Sequence, residues 1–332
     1  MKLIDIDSYL NLPKYKQIVL SIEQAIEEKR ISKNERLPSI NKICLEHKLS
    51  RDTVLQAFGE LKKRGVIYSI LGKGYFVKTT HLNFDLSIFL LFDELNAFKE
   101  QIYQSFVQKI GKKAKVDIYF HHFDTHMFQK LIDDSRGNYS KYIIMPSNLM
   151  KVEDMIKTLP KNEVYILDQT NENLSDFPSV HQNFEKEMYT SLAKGLDKIR
   201  KYKRLILLFP GQKEPIGLVN GFERFCEDYQ LNYAIYPTFE PKKIEKGTIF
   251  ITPSDGHLVE IIESGKLQNF ELGIDYGIIS FNDTPLKKVV GNGITTISTD
   301  FGLMGKTLAK MILKNEKRQI ENPSELILRA SL

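Results

Sequence analysis

The chain has 332 residues, 42% of them hydrophobic and 27% charged, an ordinary balance for a soluble globular protein and a length that accommodates two or three domains. No apolar run approaches the ~20 residues that span a bilayer, and Asp5 and Asp7 stand where a signal peptide would carry its apolar core; a cytoplasmic protein with no membrane partner is expected. The net charge of +5 is uneven: residues 1–80 hold eleven lysines and four arginines against nine acids, whereas the remainder holds one more acid than base, a distribution that suits a phosphate-binding head on a neutral body.

After Pro13, the residues Ile18, Val19, Ile22, Ala25 and Ile26 recur at helical spacing and predict a helix over residues 15–30 with one buried face. Ser39 is a good N-cap for a short helix that carries Ile40, Ile43, Cys44 and Leu45 and ends near His47. Ser50 caps a third helix, with Asp52 in its first turn favouring the helix dipole. Val54, Leu55, Phe58 and Leu61 form its expected buried stripe, and Gly65 stops it. Residues 66–71 and 75–77, joined by Gly72-Lys73-Gly74, predict a β-hairpin with a tight, basic tip.

Helix, short helix, turn, helix and hairpin together make a winged helix-turn-helix. Its third helix can enter the major groove with its first residues against base edges. That makes Ser50, Arg51, Thr53 and Gln56 candidate contacts with double-stranded DNA, since arginine pairs bidentately with guanine and glutamine with adenine. Arg36 and Lys73 add basic groups, and the glycines around Lys73 let backbone approach phosphate or the minor groove. Five segments in order, Pro13-Lys14-Tyr15-Lys16-Gln17-Ile18, Leu37-Pro38-Ser39, Leu49-Ser50-Arg51-Asp52-Thr53-Val54, Leu61-Lys62-Lys63-Arg64-Gly65 and Gly72-Lys73-Gly74-Tyr75-Phe76-Val77, resemble the GntR family of bacterial regulators over about residues 10–78. The resemblance implies DNA contact by Ser39, Arg51, Thr53, Arg64 and the wing residue Gly74. It also implies an arginine two residues after Ser39. Asn41 stands there instead, so a contact changes and the operator sequence with it.

Residues 1–78 are thus read as a DNA-binding domain and residues 79–83 as a linker. The stretch 78–83 holds neither glycine nor proline, so motion should pass through it. From residue 84 onward, short apolar runs at 86–92, 116–120, 142–145, 164–167, 205–209, 233–236, 248–251 and 276–281 alternate with helical stretches such as 98–112, 184–200 and 217–229. Such alternation predicts parallel sheets with helices on both faces, here in two lobes spanning residues 84–332. Ligands of open α/β sheets bind outside the carboxyl ends of the strands, and two facing lobes make a cleft that can hinge shut. Those ends are polar: Asp93, Asn96 and Phe98 follow the first run, Ser147 and Asn148 the third, Asp168 and Gln169 the fourth. Gln182 and Asn183 start a helix, Ser254 and Asp255 follow the seventh run, and Asn282 and Asp283 the eighth. Acids and amides bond hydroxyls, and a ring packs on the apolar face of a sugar. The candidate effector residues are therefore Phe98, Ser147, Asp168, Gln182, Asn183, Ser254, Asp255 and Asn282, although each alone also fits a cap or a turn.

The body resembles the lactose-repressor and periplasmic sugar-binding fold over about residues 84–332. The likeness is carried by Gly277-Ile278-Ile279-Ser280-Phe281-Asn282-Asp283-Thr284-Pro285, by Gly293-Ile294-Thr295-Thr296-Ile297-Ser298 with a helix opening at Phe301, and by Thr252-Pro253-Ser254-Asp255. The resemblance implies effector contact by Asn282, by Asp255 or Ser254, and by Gln182 or Asn183. It also implies an effector-binding arginine three residues before Gly221-Phe222; this chain has Leu218 there, so another group holds the ligand or the ligand differs. Head and body together resemble arabinose-repressor-type regulators. That implies a homodimer on a pseudo-palindromic operator, released by a monosaccharide. A regulator that the sugar activates and an enzyme with a fused head are the alternatives. No cofactor, metal or catalytic residue is expected. Adjacent His121 and His122, with His126, read as loop or surface residues. Gly211-Gln212-Lys213 lacks the spacing of a phosphate loop, the strand-end acids lack a histidine or serine partner in a recognisable motif, and Cys44 and Cys226 read as two buried thiols.

Overall fold

Pro13 opens helix α1 (Lys14–Glu27), whose Ile18, Val19, Ile22, Ala25 and Ile26 all face inward. Ser39 caps α2 (Ile40–His47) by accepting from the Lys42 amide at 3.2 Å, and Ser50 caps α3 (Arg51–Lys63) by accepting from Thr53 at 3.2 Å. Each cap satisfies an amide that the helix leaves without a partner. The buried stripe of α3 is Val54, Ala57, Phe58 and Leu61. Leu55, expected in that stripe, is exposed, because 55 and 57 flank the line through 54 and 58 equally and Leu61 tips the buried face towards Ala57. Strands β1 (Ile67–Ile70) and β2 (Gly74–Val77) pair antiparallel from Ile67↔Val77 to Ile70↔Gly74. Gly72 and Gly74 hold φ of 73° and 104° at the tip, values that a side chain would strain.

This computed structural model describes residues 3–7, 12–80, 82, 86–112, 114–211, 213–240 and 244–332. Two compact units emerge: Met1–Phe92 with Ile110–Ile144 and Lys151–Tyr165, and Asp93–Lys109 with Met145–Met150 and Ile166–Leu332. The first holds the winged helix together with β3 (Leu86–Phe92), β4 (Ala114–Phe120), α5 (Thr125–Ser135), β5 (Lys141–Ile144) and α6 (Val152–Ile156). Within it the winged helix touches the sheet. The Lys78 ammonium lies 3.7 Å from Asp117 and 5.0 Å over the Tyr139 ring, and a Cβ on Gly65 would meet the Ser87 hydroxyl at 2.9 Å. Of the expected linker, residues 81 and 83 lie outside the described residues.

The remaining elements follow in chain order: α4 (Ala97–Ile110), β6 (Val164–Asp168), β7 (Ser179–His181), α7 (Phe184–Lys194), α8 (Leu196–Ile199), β8 (Arg204–Leu208), α9 (Gly217–Asp228), β9 (Tyr233–Tyr236), β10 (Thr248–Thr252), α10 (Asp255–Leu267), β11 (Tyr276–Phe281), β12 (Thr295–Thr299), α11 (Phe301–Lys314), β13 (Gln319–Glu321) and β14 (Ser324–Ile327). They complete two six-stranded sheets, ordered β13-β7-β6-β5-β3-β4 and β14-β12-β11-β10-β8-β9. In the second sheet β9, β8, β10, β11 and β12 run parallel and β14 is antiparallel to β12. Alternate residues feed two cores. Leu205, Leu207, Ile249 and Ile251 face α7 and α9, whereas Ile206, Leu208 and Phe250 join Leu258, Ile261 and Ile262 of α10. A strand buried on both faces usually reads as a near-continuous apolar run, which is why these runs stood out. The single helix expected over 184–200 breaks at Gly195 into α7 and α8. Two expectations are corrected here. His121, in the loop that follows β4, is fully buried rather than at the surface, its ring edge-on to Phe128 at 5.3 Å, whereas His122 and His126 are exposed. Cys226 is buried but Cys44 is partly exposed.

Candidate functional sites

The residues expected to read DNA gather at the start of α3. Arg51 and Gln56 are exposed. The Thr53 hydroxyl lies 2.8 Å from that of Ser50, so both belong to the cap and present its outer edge. Arg51 donates from Nη1 to Asn41 Oδ1 at 3.1 Å. The residue that replaces the expected arginine therefore orients the guanidinium instead of competing with it. Ser39 is committed to its cap. Arg64 is not free: it pairs with Glu23 and lies 3.8 Å from Glu60, with its side chain 23% exposed, so it braces α1 against α3. Burial holds the Glu23 carboxyl above its usual range, and Arg64 draws it back down. Lys73 is exposed at the wing tip. A Cβ on Gly74 would lie 3.4 Å from the Arg36 guanidinium, so Arg36 and the wing backbone form one basic edge.

In the second unit a cavity of about 700 Å³ opens at the carboxyl ends of strands, lined by residues that follow β5, β6, β7 and β8. That size falls within the roughly 300–1,000 Å³ of small-molecule sites. Ser147, Gln182 and Asn183, all expected, line it together with Asn148 and Gln169; His181, Thr170, Glu185 and Glu214, which sequence reasoning missed, line it as well. Behind the wall runs a buried polar network. Asp93 takes Lys99 at 2.5 Å and the Ser147 hydroxyl at 2.8 Å. Gln182 donates to Asp168 at 2.5 Å, and its oxygen accepts from Thr299 at 2.7 Å. Burial pushes the Asp168 carboxyl upward, against Lys99 and Gln182. Burial likewise lifts Glu187 to about 7. A protonated Glu187 can donate to the Thr299 oxygen 3.2 Å away while Thr299 donates to Gln182. Ser147 and Asp168 hold φ of 53° and 71°, a sparsely populated region that recurs at binding sites.

The other expected residues go elsewhere. Phe98 stacks on Phe301 with ring centroids 4.9 Å apart. Ser254 caps α10 by accepting from His257. Asp255 and Asn282 meet at Lys287, whose ammonium lies 2.9 Å from the Asp255 carboxylate and donates to the Phe281 and Asn282 carbonyls at 2.6 and 3.1 Å. Neighbouring Asp283 takes both guanidinium ends of Arg329, at 2.7 and 2.9 Å. Leu218 is buried in the core beside α7, and among the described residues no lysine or arginine lines the cavity. His181 bonds the Ser179 hydroxyl at 2.9 Å, but Ser179 is fully buried and out of reach of a ligand, so the pair is no nucleophile and base. No helix among the described residues is long and apolar enough to cross a membrane.

Residues 14–77 match the bacterial regulatory proteins of the gntR family. The arabinose metabolism transcriptional repressor of Geobacillus stearothermophilus is 42% identical over 66 residues, 20% of this chain and 18% of that protein. Matches to curated relatives span 15 to 48% of those proteins' lengths. The fold extends further. The trehalose repressor of Escherichia coli superposes with a TM-score of 0.62 at 15% identity, over 73% of this chain and 100% of that one. A LacI-family regulator from Lactobacillus casei with bound glucose gives 0.60 at 16%, over 74% and 99%. The head is a GntR-type helix-turn-helix, and the two-sheet body has the periplasmic-binding-like fold of LacI-family regulators.

Proposed function

We propose that this chain, a GntR-type head on a LacI-type body, is a sugar-responsive transcriptional repressor of the cytoplasm. In this reading residues 1–78 bind operator DNA, residues 79–83 connect, and residues 84–332 sense a monosaccharide and release the head. One observation carries it. A winged helix with an exposed, oriented Arg51 shares a chain with an amide-rich cavity of about 700 Å³ at the ends of sheet strands. Regulators and repressors by name, the arabinose and trehalose proteins among them, provide the comparison. The homodimer sets two recognition helices about one helical turn apart on a pseudo-palindrome.

A ligand moves such a system only by binding its two states unequally. The contacts of Lys78 with Asp117 and Tyr139 support a direct mechanical route, since the hairpin end rests on the sheet that feeds the body. Selection of binding sites from random duplexes, followed by titration with L-arabinose, D-glucose and trehalose, tests the reading. Loss of binding with one sugar supports repression released by sugar. A gain assigns the opposite sign, and no response from any sugar removes the sugar from the proposal.

A further inference from the structure

We propose that the cavity takes a polyhydroxylated ligand that carries no phosphate or carboxylate group. The proposal rests on the reading of that cavity as the sensor site and adds the ligand's charge. The ionisable side chains of the wall are Glu185, Glu214 and His181. Glu185 has only a loose contact with Arg224 at 3.8 Å, and Glu214 accepts from the Lys213 amide at 3.2 Å. The Lys213 ammonium is turned to Glu94 at 2.6 Å. Burial pushes His181 below the usual imidazole range, with Glu321 pulling weakly the other way, so the ring brings no positive charge at neutral pH. The wall is therefore net negative.

Its hydrogen-bonding valence points the same way. The Asn148 amide nitrogen already donates to the Lys213 and Glu214 carbonyls at 3.0 and 2.9 Å, which leaves its oxygen to accept. The two carboxylates also only accept. Thr170 lines the wall too, its hydroxyl oxygen buried and without a hydrogen-bond partner among the described residues. An acceptor-rich wall matches sugar hydroxyls, each of which brings a donor. The positive ends of α7 and α9 also reach the cavity, and helix starts attract anions. At α7 that pull is offset from within: Glu185 and Glu187 occupy its first turn, and Asn183 caps the Lys186 amide at 3.2 Å. An anion would also lie against two like charges in a site that holds no lysine or arginine among its described residues.

Isothermal titration of the full chain with L-arabinose, D-glucose and sucrose, and with glucose 6-phosphate and sucrose 6-phosphate, tests this. At least one neutral sugar should bind, on the order of 100-fold tighter than its phosphate, the factor expected for unit charges about 5 Å apart at a protein-like dielectric. In the double variant Glu185→Gln, Glu214→Gln that gap should shrink about tenfold or more, while the melting curve shows the fold intact. A phosphate that binds as tightly as its parent sugar, in the wild-type chain, overturns the charge inference and leaves a sugar sensor standing. Failure of every sugar, charged or neutral, overturns the sensor reading and this inference with it.

Discussion

The starts of helices α7 and α9 both line the cavity, and two glycines one turn apart, Gly217 and Gly221, let the helices lie flush. An ideal Cβ on Gly221 would sit 2.9 Å from Met188 Cβ and 3.0 Å from the Glu185 carbonyl carbon, with the Glu185 oxygen closer still. Carbon atoms rest about 3.5–4.0 Å apart, so Gly221→Ala forces the helices apart by about 1 Å. The Glu185 atoms are backbone and cannot swing away. Overpacking of this kind costs about 1–3 kcal/mol, and a backbone clash belongs at the upper end. Alanine's better helix propensity returns up to about 1 kcal/mol. The net loss is about 2 kcal/mol, or a melting temperature lower by roughly 4–8 °C in a body of this size. Gly59 in α3 has nothing within 4 Å of its Cβ position and provides the control: Gly59→Ala should gain about 0.5–1 kcal/mol. Thermal unfolding followed by circular dichroism measures both. If Gly221→Ala melts at or above the wild type, the close approach of α7 and α9 is not what the fold relies on.

Glu187 links stability to pH. Its folded pKa of about 7 lies above the unfolded value, so the stability it contributes is full below about pH 4.5 and is lost as pH rises to about 7, by about 3 kcal/mol in all. Glu187→Gln, which keeps a donor for Thr299, should match the wild type at pH 4.5 and exceed it at pH 8 in chemical denaturation; equal stability at pH 8 contradicts the assignment. Arg51→Ala should weaken a selected DNA site by about 1–3 kcal/mol, roughly 5- to 150-fold by fluorescence anisotropy. Equal loss on every sequence would make Arg51 a phosphate contact instead. Arg329→Met leaves the Asp283 carboxylate, 14% exposed in the wild type, with only Thr296 at 3.3 Å and the looser Lys288 at 3.9 Å, and should cost about 3 kcal/mol in urea unfolding; a loss under 1 kcal/mol would mean that these two suffice for Asp283.

The head was legible almost residue by residue because its determinants are local. Ser39 and Ser50 reach amides three residues on, and Gly72 and Gly74 supply the turn geometry of the wing. The apolar strands β3 and β11 coincide with their runs for a related reason, being buried almost throughout, and β9 coincides with its run although it is only half-buried. Strand β12 did not stand out. Only Ile297 of Thr295–Thr299 is aliphatic, yet every residue is buried, because hydroxyls find partners far along the chain, as Thr295 does on the Arg329 carbonyl at 3.2 Å. The cavity divides along the same line. Ser147, Gln182 and Asn183 were found because they end strands or start a helix. Glu214 and Thr170 lie in connections whose position the whole fold sets. Asp255 and Asn282 meet Lys287, a buried ammonium in a short turn that carries no pattern in sequence, and Ser254 is taken up by the cap of α10.

The central claim is that one chain reads DNA and lets go when its cavity fills. The most direct measurement is the affinity of the full chain for a DNA site selected from random duplexes, with and without saturating neutral sugar. The account predicts a pseudo-palindromic site and at least about a tenfold loss of affinity with one sugar, a coupling of roughly 1–3 kcal/mol. A site with no two-fold symmetry, or an affinity unmoved by every sugar that binds the cavity, would contradict it.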